Sequence, residues 1–246
     1  MDIFRHGVAI IGAGLMGLSL AERLISIGTT PYVAARRPAA ELAATLGTQA
    51  RAIDVADIAD LPPKAPVFLA IPLSALETIP AAALDGRLAI DVANYWPRLD
   101  AAGRFAQDPR GTSLVTQELF PAARVVKTLN HLAYSDLSFD ARPSSADYRR
   151  GQCVAADDAE ARFAAALIVD ALGFAPVDAG ALANGRLFGP GTQIFNGGWR
   201  TAEQLTRILR RLGDHQAAPF DLGGRGDCPG RERQSGGSEK FVGGAN

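Results

Sequence analysis

An α/β fold built on a doubly wound parallel sheet is what this sequence predicts, on three observations. Short apolar runs alternate with helical patterns, a glycine-rich turn joins the first run to the first helix, and the alternation returns once after residue 150. The first five runs are Val8 to Ile11, Pro31 to Ala34, Pro66 to Ile71, Arg87 to Val92 and Arg124 to Leu129. Strands separated by helices imply crossover connections and therefore parallel pairing. Between the first two runs, Leu15, Leu18, Leu20, Leu24 and Ile27 give a largely one-sided apolar face, and Gly28 is placed to end that helix. The second block comprises a strand over Gln152 to Ala155, a helix over Asp157 to Leu172 and a strand over Phe174 to Asp178. Asp157 or Asp158 serves as its cap and Gly173 as its stop. One further helix spans Thr201 to Leu212. From Asp214 to Asn246 periodicity fades, and eight of these 33 residues are glycine, where average usage of ~7% predicts about two. A disordered tail is expected there. The predicted organisation is a nucleotide-binding domain over 1–150, a small C-terminal α/β lobe over 151–213 that completes a cleft, and the tail over 214–246.

Composition narrows the function. With 48% hydrophobic and 21% charged residues the chain can bury a full core, and its net charge of -1 offers no global field for nucleic acid or an anionic membrane. No stretch approaches the ~20 apolar residues of a membrane span. The two cysteines, Cys153 and Cys228, form no CxxC, and with three histidines there is no metal-ligand cluster. A cytoplasmic protein acting on a small molecule is expected, with a homodimer left open.

The stretch "HGVAIIGAGLMGLSLAERL", His6 to Leu24, carries the main chemical signal. A strand ends at Ile11, Gly12 makes the tight turn, Gly14 lets backbone approach a pyrophosphate, and Gly17 lets the helix pack on the strand. The helix N-terminus, with Ala13, Leu15 and Met16 around it, then faces the phosphates. This is the fingerprint of a Rossmann dinucleotide site because it follows a strand and opens a helix. An NAD site usually places an acidic residue about 20 positions further on. Here "VAARRPAAE" puts Arg36 19 positions after Gly17, followed by Arg37, with no carboxylate before Glu41. Two guanidiniums suit a 2′-phosphate, so NADP(H) is the expected nucleotide. Two more loops should complete the site beyond the strand ends: Ile71 and Pro72, with Pro72 starting a helix, and Ala93 and Asn94 toward the nicotinamide.

The blocks "GAGLMG", "AARRP", "LAIPLSALETI", "IDVANYW", "VVKTLNHLAYSDL", "CVAADDAEA" and "LGFAPVDAGAL…RLFGPGT" occur in an order that resembles the NADPH-dependent F420 reductases, also called F420-dependent NADP oxidoreductases. The resemblance spans about residues 7 to 200. It implies reversible hydride transfer between NADP(H) and the deazaflavin coenzyme F420, in a cleft between a Rossmann domain and a small second lobe. By position it implies Ala13 to Met16 on the pyrophosphate, Arg36 and Arg37 on the 2′-phosphate, and Ile71, Pro72 and Asn94 beside the nucleotide. Asn130, His131, Leu132 and Ala133 would line the pocket where the two rings meet, with Gly189, Pro190 and Gly191 contributed by the second lobe.

Direct transfer between two bound rings requires positioning and exclusion of water, and no obligatory acid or base. Reduction of a carbonyl would need a proton donor, for which Lys127 and His131 are the candidates. Against those roles, Lys127 reads as a strand-edge charge and His131 as a hydrogen-bonded loop histidine. Cys153 reads as a buried strand residue, and no GxSxG elbow supports hydrolysis. Two alternatives stand beside the F420 reading: an NADP-dependent reductase of a small carbonyl or imine, and a non-catalytic NADP(H)-binding redox sensor.

Overall fold

The computed structural model describes residues 4–100, 103–214 and 216–222. Strands and helices alternate as β1 (Ala9–Ile11), α1 (Leu15–Ser26), β2 (Tyr32–Ala34), α2 (Ala39–Leu46), β3 (Arg51–Ile53), β4 (Val67–Leu69), β5 (Leu88–Asp91), α3 (Arg104–Gln107), α4 (Thr112–Leu119) and β6 (Arg124–Lys127). The six strands form one parallel sheet in the order β3-β2-β1-β4-β5-β6. Strand order reverses beside β1, which opens a crevice between the C-terminal ends of β1 and β4. The fold is the predicted α/β Rossmann arrangement.

Alternation of side chains along β1 explains its two covers. Val8 and Ile10 face one core with Leu20 and Leu24 of α1, whereas Ala9 and Ile11 face a second core with Leu73, Leu76 and Val115. On that second face the crossovers after β3 and β4 are tight 3₁₀ turns, Val55–Asp60, Leu73–Thr78 and Ala81–Leu84. Pro72 therefore begins a 3₁₀ turn rather than the helix expected of it.

The second unit comprises α5 (Asp136–Phe139), β7 (Gly151–Val154), α6 (Ala159–Ala171), β8 (Ala175–Asp178), 3₁₀ turns at Leu182–Phe188 and Phe195–Gly197, α7 (Ala202–Arg211) and β9 (Ala218–Pro219). Strand β7 pairs parallel with β8, and β9 pairs antiparallel with β8. Asp158 caps α6 by accepting from the N–H groups of Glu160 and Ala161, and Thr201 and Gln204 form a capping box at α7. The unit is seated on the large sheet by continuous packing: Ala161, Ala165, Ile168 and Val169 of α6 share the core of α1 and β1. Backbone bonds between Lys127 and Ala155, 2.9 and 3.0 Å, link the edge of one sheet to the other.

The disorder expected from Asp214 onward does not hold for residues 216–222. Ala217 is buried in the core under α7, its carbonyl accepts from Arg210 Nε at 2.8 Å, and β9 follows directly. The rest of that expectation, residues 223–246 with Cys228, lies outside the described residues. Among the described residues, no helix is long and apolar enough to cross a membrane, and no group of His, Cys, Asp and Glu is arranged to hold a metal.

Candidate functional site

Strand register aligns the site before any side chain is considered. Ala34 of β2 pairs with Ile11, Ile11 with Leu69, Leu69 with Asp91 and Asp91 with Lys127, so five C-terminal ends form one row. At ~4.8 Å per strand spacing that row is about 19 Å long. The segments nominated from sequence leave it one after another: Arg36 and Arg37 after β2, Gly12 to Gly17 after β1, Ile71 and Pro72 after β4, Ala93 and Asn94 after β5, and Asn130 to Ala133 after β6.

The three glycines of the turn do three different things. Gly12 has φ 126°, and a Cβ there would stand 2.2 Å from the Ala70 carbonyl oxygen. A Cβ on Gly17 would stand 2.0 Å from the Gly12 carbonyl oxygen, so α1 can rest on the turn only without it. A Cβ on Gly14 would meet nothing within 4 Å. That open space lies over the start of α1, where no side chain caps the helix and the first turn holds no acidic residue. Uncapped N–H groups with the positive end of the helix dipole form an anion seat.

Gly12, Ala13 and Gly14 line a cleft of about 370 Å³ together with Arg36, Arg37, Ile71 and Pro72. A larger one of about 600 Å³ shares the Ala35, Arg36, Ile71 and Pro72 walls and continues between Val55 and the Leu73–Thr78 turn to Leu99. Both arginines are exposed, and among the described residues neither has an ion-pair partner. One end of the crevice thus offers an anion seat and two available guanidiniums, with an apolar slot alongside. Asp100, missed in the sequence reading, shapes that slot by accepting from the N–H groups of Ser74 and Trp96 at 3.0 and 2.9 Å.

At the other end, chain segments far apart in sequence are tied by amides. Asn94 Nδ2 donates to the Asn130 carbonyl at 2.7 Å, and Asn130 Nδ2 donates to Asn94 Oδ1 at 3.0 Å and to the Phe188 carbonyl at 3.1 Å. Asn130 is 1% exposed, while Asn94 is half-buried. Leu129, just before it, has φ 58°, a left-handed conformation unfavourable for a branched residue and the bend that turns Asn130 back toward Asn94. Gly189 follows Phe188 directly and is half-buried, with Pro190 and Gly191 exposed beyond it.

The remaining nominated residues divide. Ala133, Leu15 and Gly14 are exposed at the rim and Met16 is half-buried, but His131 and Leu132 are buried beneath the surface. His131 Nε2 accepts from the Cys153 N–H at 3.0 Å and its ring meets Phe188 edge-on. Burial, with the Arg150 guanidinium nearby, lowers its pKa to about 3, so it is neutral at physiological pH. Cys153 is fully buried and burial raises its thiol far above the usual range.

Lys127 differs from the strand-edge charge expected. Strand β6 is indeed the edge of the sheet, but its lysine is 1% exposed, covered by the second unit. Its Nζ lies 3.1 Å from Asp91 Oδ1 and donates to the Ala93 carbonyl. Desolvation lowers its pKa, with the Asp91 carboxylate opposing. Asp91 was not singled out from sequence. The available signal was one acid and one base, each inside an otherwise apolar run.

Comparison with known proteins follows this geometry. Residues 7–95 match the family described as NADP oxidoreductase, coenzyme F420-dependent. No curated protein matches the chain. A solved structure of a hypothetical protein from Sinorhizobium meliloti is 29% identical with a TM-score of 0.61, over 76% of this chain and 91% of that one. One from Arthrobacter, provisionally named an F420-dependent NADP reductase, is 23% identical with a TM-score of 0.61, over 74% and 87%. An imine reductase from Aspergillus terreus, solved with an NADPH analogue and dibenz[c,e]azepine, is 17% identical with a TM-score of 0.52. The match covers 73% of this chain and 56% of that enzyme. The last two likenesses show a shared fold.

Proposed function

We propose that this protein transfers a hydride between NADP(H) and the deazaflavin coenzyme F420 within the crevice above β1, β4, β5 and β6. The observation that carries the reading is the phosphate end of the crevice: open space at Gly14 over an uncapped helix, with unpaired Arg36 and Arg37 beside it. These groups fit the pyrophosphate and 2′-phosphate of NADP(H), and Ile71 and Pro72 offer an apolar wall to the adenosine. NADP(H) supplies or accepts the hydride when bound. The protein's residues hold the two rings and exclude water.

The F420 half of the reading draws on the family of residues 7–95 and on the resemblance of the later blocks. Chemistry speaks against the carbonyl alternative. Reduction of a carbonyl to an alcohol needs a proton donor beside the hydride. Of the two donors nominated from sequence, His131 is neutral, with Nε2 accepting a backbone bond, and Lys127 is sealed off against Asp91. Hydride transfer to a deazaflavin needs neither, because the hydride goes to a ring carbon at the dry contact between the rings while a ring nitrogen away from that contact takes its proton from solvent.

The test is spectral. Mixed with NADPH and protein, F420 should lose its deazaflavin absorbance, and NADH should be far less effective. NADPH oxidation with a cyclic imine or ketone but not with F420 would replace this reading by a reductase of that substrate. Tight NADPH binding without turnover of any acceptor would point to the sensor.

A further inference from the structure

We infer that the buried Lys127–Asp91 pair is a positioning device for the reacting end of the crevice, gripping the Ala93–Asn94 turn and, through it, seating the second unit on the first. The inference rests on the reading above that this crevice binds NADP(H).

Stability does not account for the pair. Two charges withdrawn from water are costly, and an apolar pair of similar volume would close the edge of the sheet at least as well. What the pair does provide is fixed hydrogen bonding at one peptide. Asp91 Oδ1 accepts the Ala93 N–H at 3.0 Å while Lys127 Nζ donates to the Ala93 carbonyl, so the residue before Asn94 is held from both sides. With Ala93 fixed, Asn94 presents its amide to Asn130, and Asn130 reaches the Phe188 carbonyl. Five linked hydrogen bonds thus run from a buried ion pair to the segment containing Gly189.

A second contact leads the same way. Gly185, in the turn that ends at Phe188, packs so closely that a Cβ would stand 3.1 Å from Lys127 Cγ and 3.0 Å from Ser113 Oγ. The second unit therefore rests on the lysine stem while the first unit is held by its ammonium. Moving Lys127 moves both walls. Asp91 Oδ2 has the Thr116 hydroxyl at 3.5 Å, and the only carboxylate in ion-pair contact with Lys127 among the described residues is Asp91. No other acid there can take over its role.

Hydride transfer is sensitive to displacements of ~1 Å, which can cost about 100-fold in rate. Phosphate binding, several strands away along the row, should be nearly indifferent to the same displacement. Lys127 and Asp91 are therefore positioning residues, separate from the groups that hold the nucleotide.

The experiment uses the full chain with Lys127→Met, which keeps the stem and removes the charge. Lys127→Met combined with Asp91→Asn serves as a second variant, removing both charges so that no buried carboxylate is left unpaired. Expected are an NADPH dissociation constant within about threefold of wild type, loss of the fluorescence change of the bound nicotinamide, and a drop in kcat with F420 of about 100-fold. The primary isotope effect from NADPH deuterated at the transferred position should rise, which a merely looser fold would not produce. Wild-type kcat and nicotinamide emission in either folded variant would overturn the proposal, and if Lys127→Met does not fold, the double variant alone decides. A wild-type protein that binds no NADPH overturns the functional reading and this proposal with it. One that binds and reacts, with variants that react equally well, overturns the proposal alone.

Discussion

Replacing Gly14 by valine should separate nucleotide binding from folding. Its backbone, φ -85° and ψ -172°, is extended and open to any residue, and its Cβ position is empty to 4 Å. The folded state therefore accepts the side chain, and the unfolded chain loses freedom, an effect of roughly 0.4–1 kcal/mol in favour of folding. For a chain of this size that corresponds to a melting temperature higher by about 1–4 °C. The same side chain occupies the approach to the first turn of α1. Losing two charge-assisted bonds from backbone N–H groups to a pyrophosphate, at roughly 1.5–3 kcal/mol each, weakens NADPH by about 3–6 kcal/mol. That is on the order of 100-fold to 10,000-fold in the dissociation constant. Calorimetric titration with NADPH and thermal melting of the same preparation read both effects. A variant that melts like wild type and still binds NADPH with unchanged affinity would refute the assignment of this turn to the phosphates.

Three further outcomes follow from the geometry. Gly17→Ala should fold poorly, since its methyl carbon would lie 2.0 Å from the Gly12 carbonyl. A cost of about 3 kcal/mol and a drop of roughly 6–12 °C on melting are expected, and an unchanged melt would contradict the packing described. Arg36→Glu should shift the NADPH-to-NADH affinity ratio by about 100-fold toward NADH at low salt, with a smaller shift at high salt. Equal affinity of the wild type for both nucleotides would remove the arginines from the 2′-phosphate. His131, with a folded pKa of about 3 against an ordinary value of 6.5, is protonated first in the unfolded chain as pH falls. Its contribution to stability is full well above pH 6.5 and declines as pH falls through and below that value, by about 1 kcal/mol between pH 7 and 5.5. Urea midpoints at those two pH values should show that decline in the wild type and not in His131→Gln.

Legibility from sequence tracked the range of the interactions. Helix α1 and strands β1, β2, β4, β5 and β6 announce themselves by periodicity because each buries one face or both along its length. Helix α2 does not, since it is mostly alanine around a single buried residue, Leu42. Strand β3 is three residues at the sheet's edge beginning at exposed Arg51, and β9 is two residues held by β8, so neither carries a pattern of its own. The same distinction governs the site. The phosphate end is written in one local motif whose glycines act within six residues. The reacting end depends on contacts 36 and 58 positions apart, and it is here that Asp91, Phe188 and the burial of Lys127 could not be read from one chain segment at a time.

Burial at that end has a chemical consequence as well as a structural one. The contacts that immobilise Asn130, His131 and Lys127 also remove the two candidate proton donors from use: His131 presents a lone pair to a backbone N–H, and Lys127 is committed to Asp91 and the Ala93 carbonyl. An enzyme forming an alcohol could not accept that exchange, because its proton must arrive with the hydride. A pair of planar redox rings can, since their reaction depends on distance and alignment above all. The crevice thus combines solvent-facing cations where phosphates would be held with a buried lysine and histidine committed to contacts within the protein where the rings would meet. If the reading is right, kcat with F420 should show no titration assignable to His131 between pH 5.5 and 7.5, because its pKa of about 3 keeps it neutral throughout. A kcat that rises or falls through pH 6.5 in the wild type, and becomes flat in His131→Gln, would instead make this histidine a participant in proton transfer and return the protein to the carbonyl-reducing class.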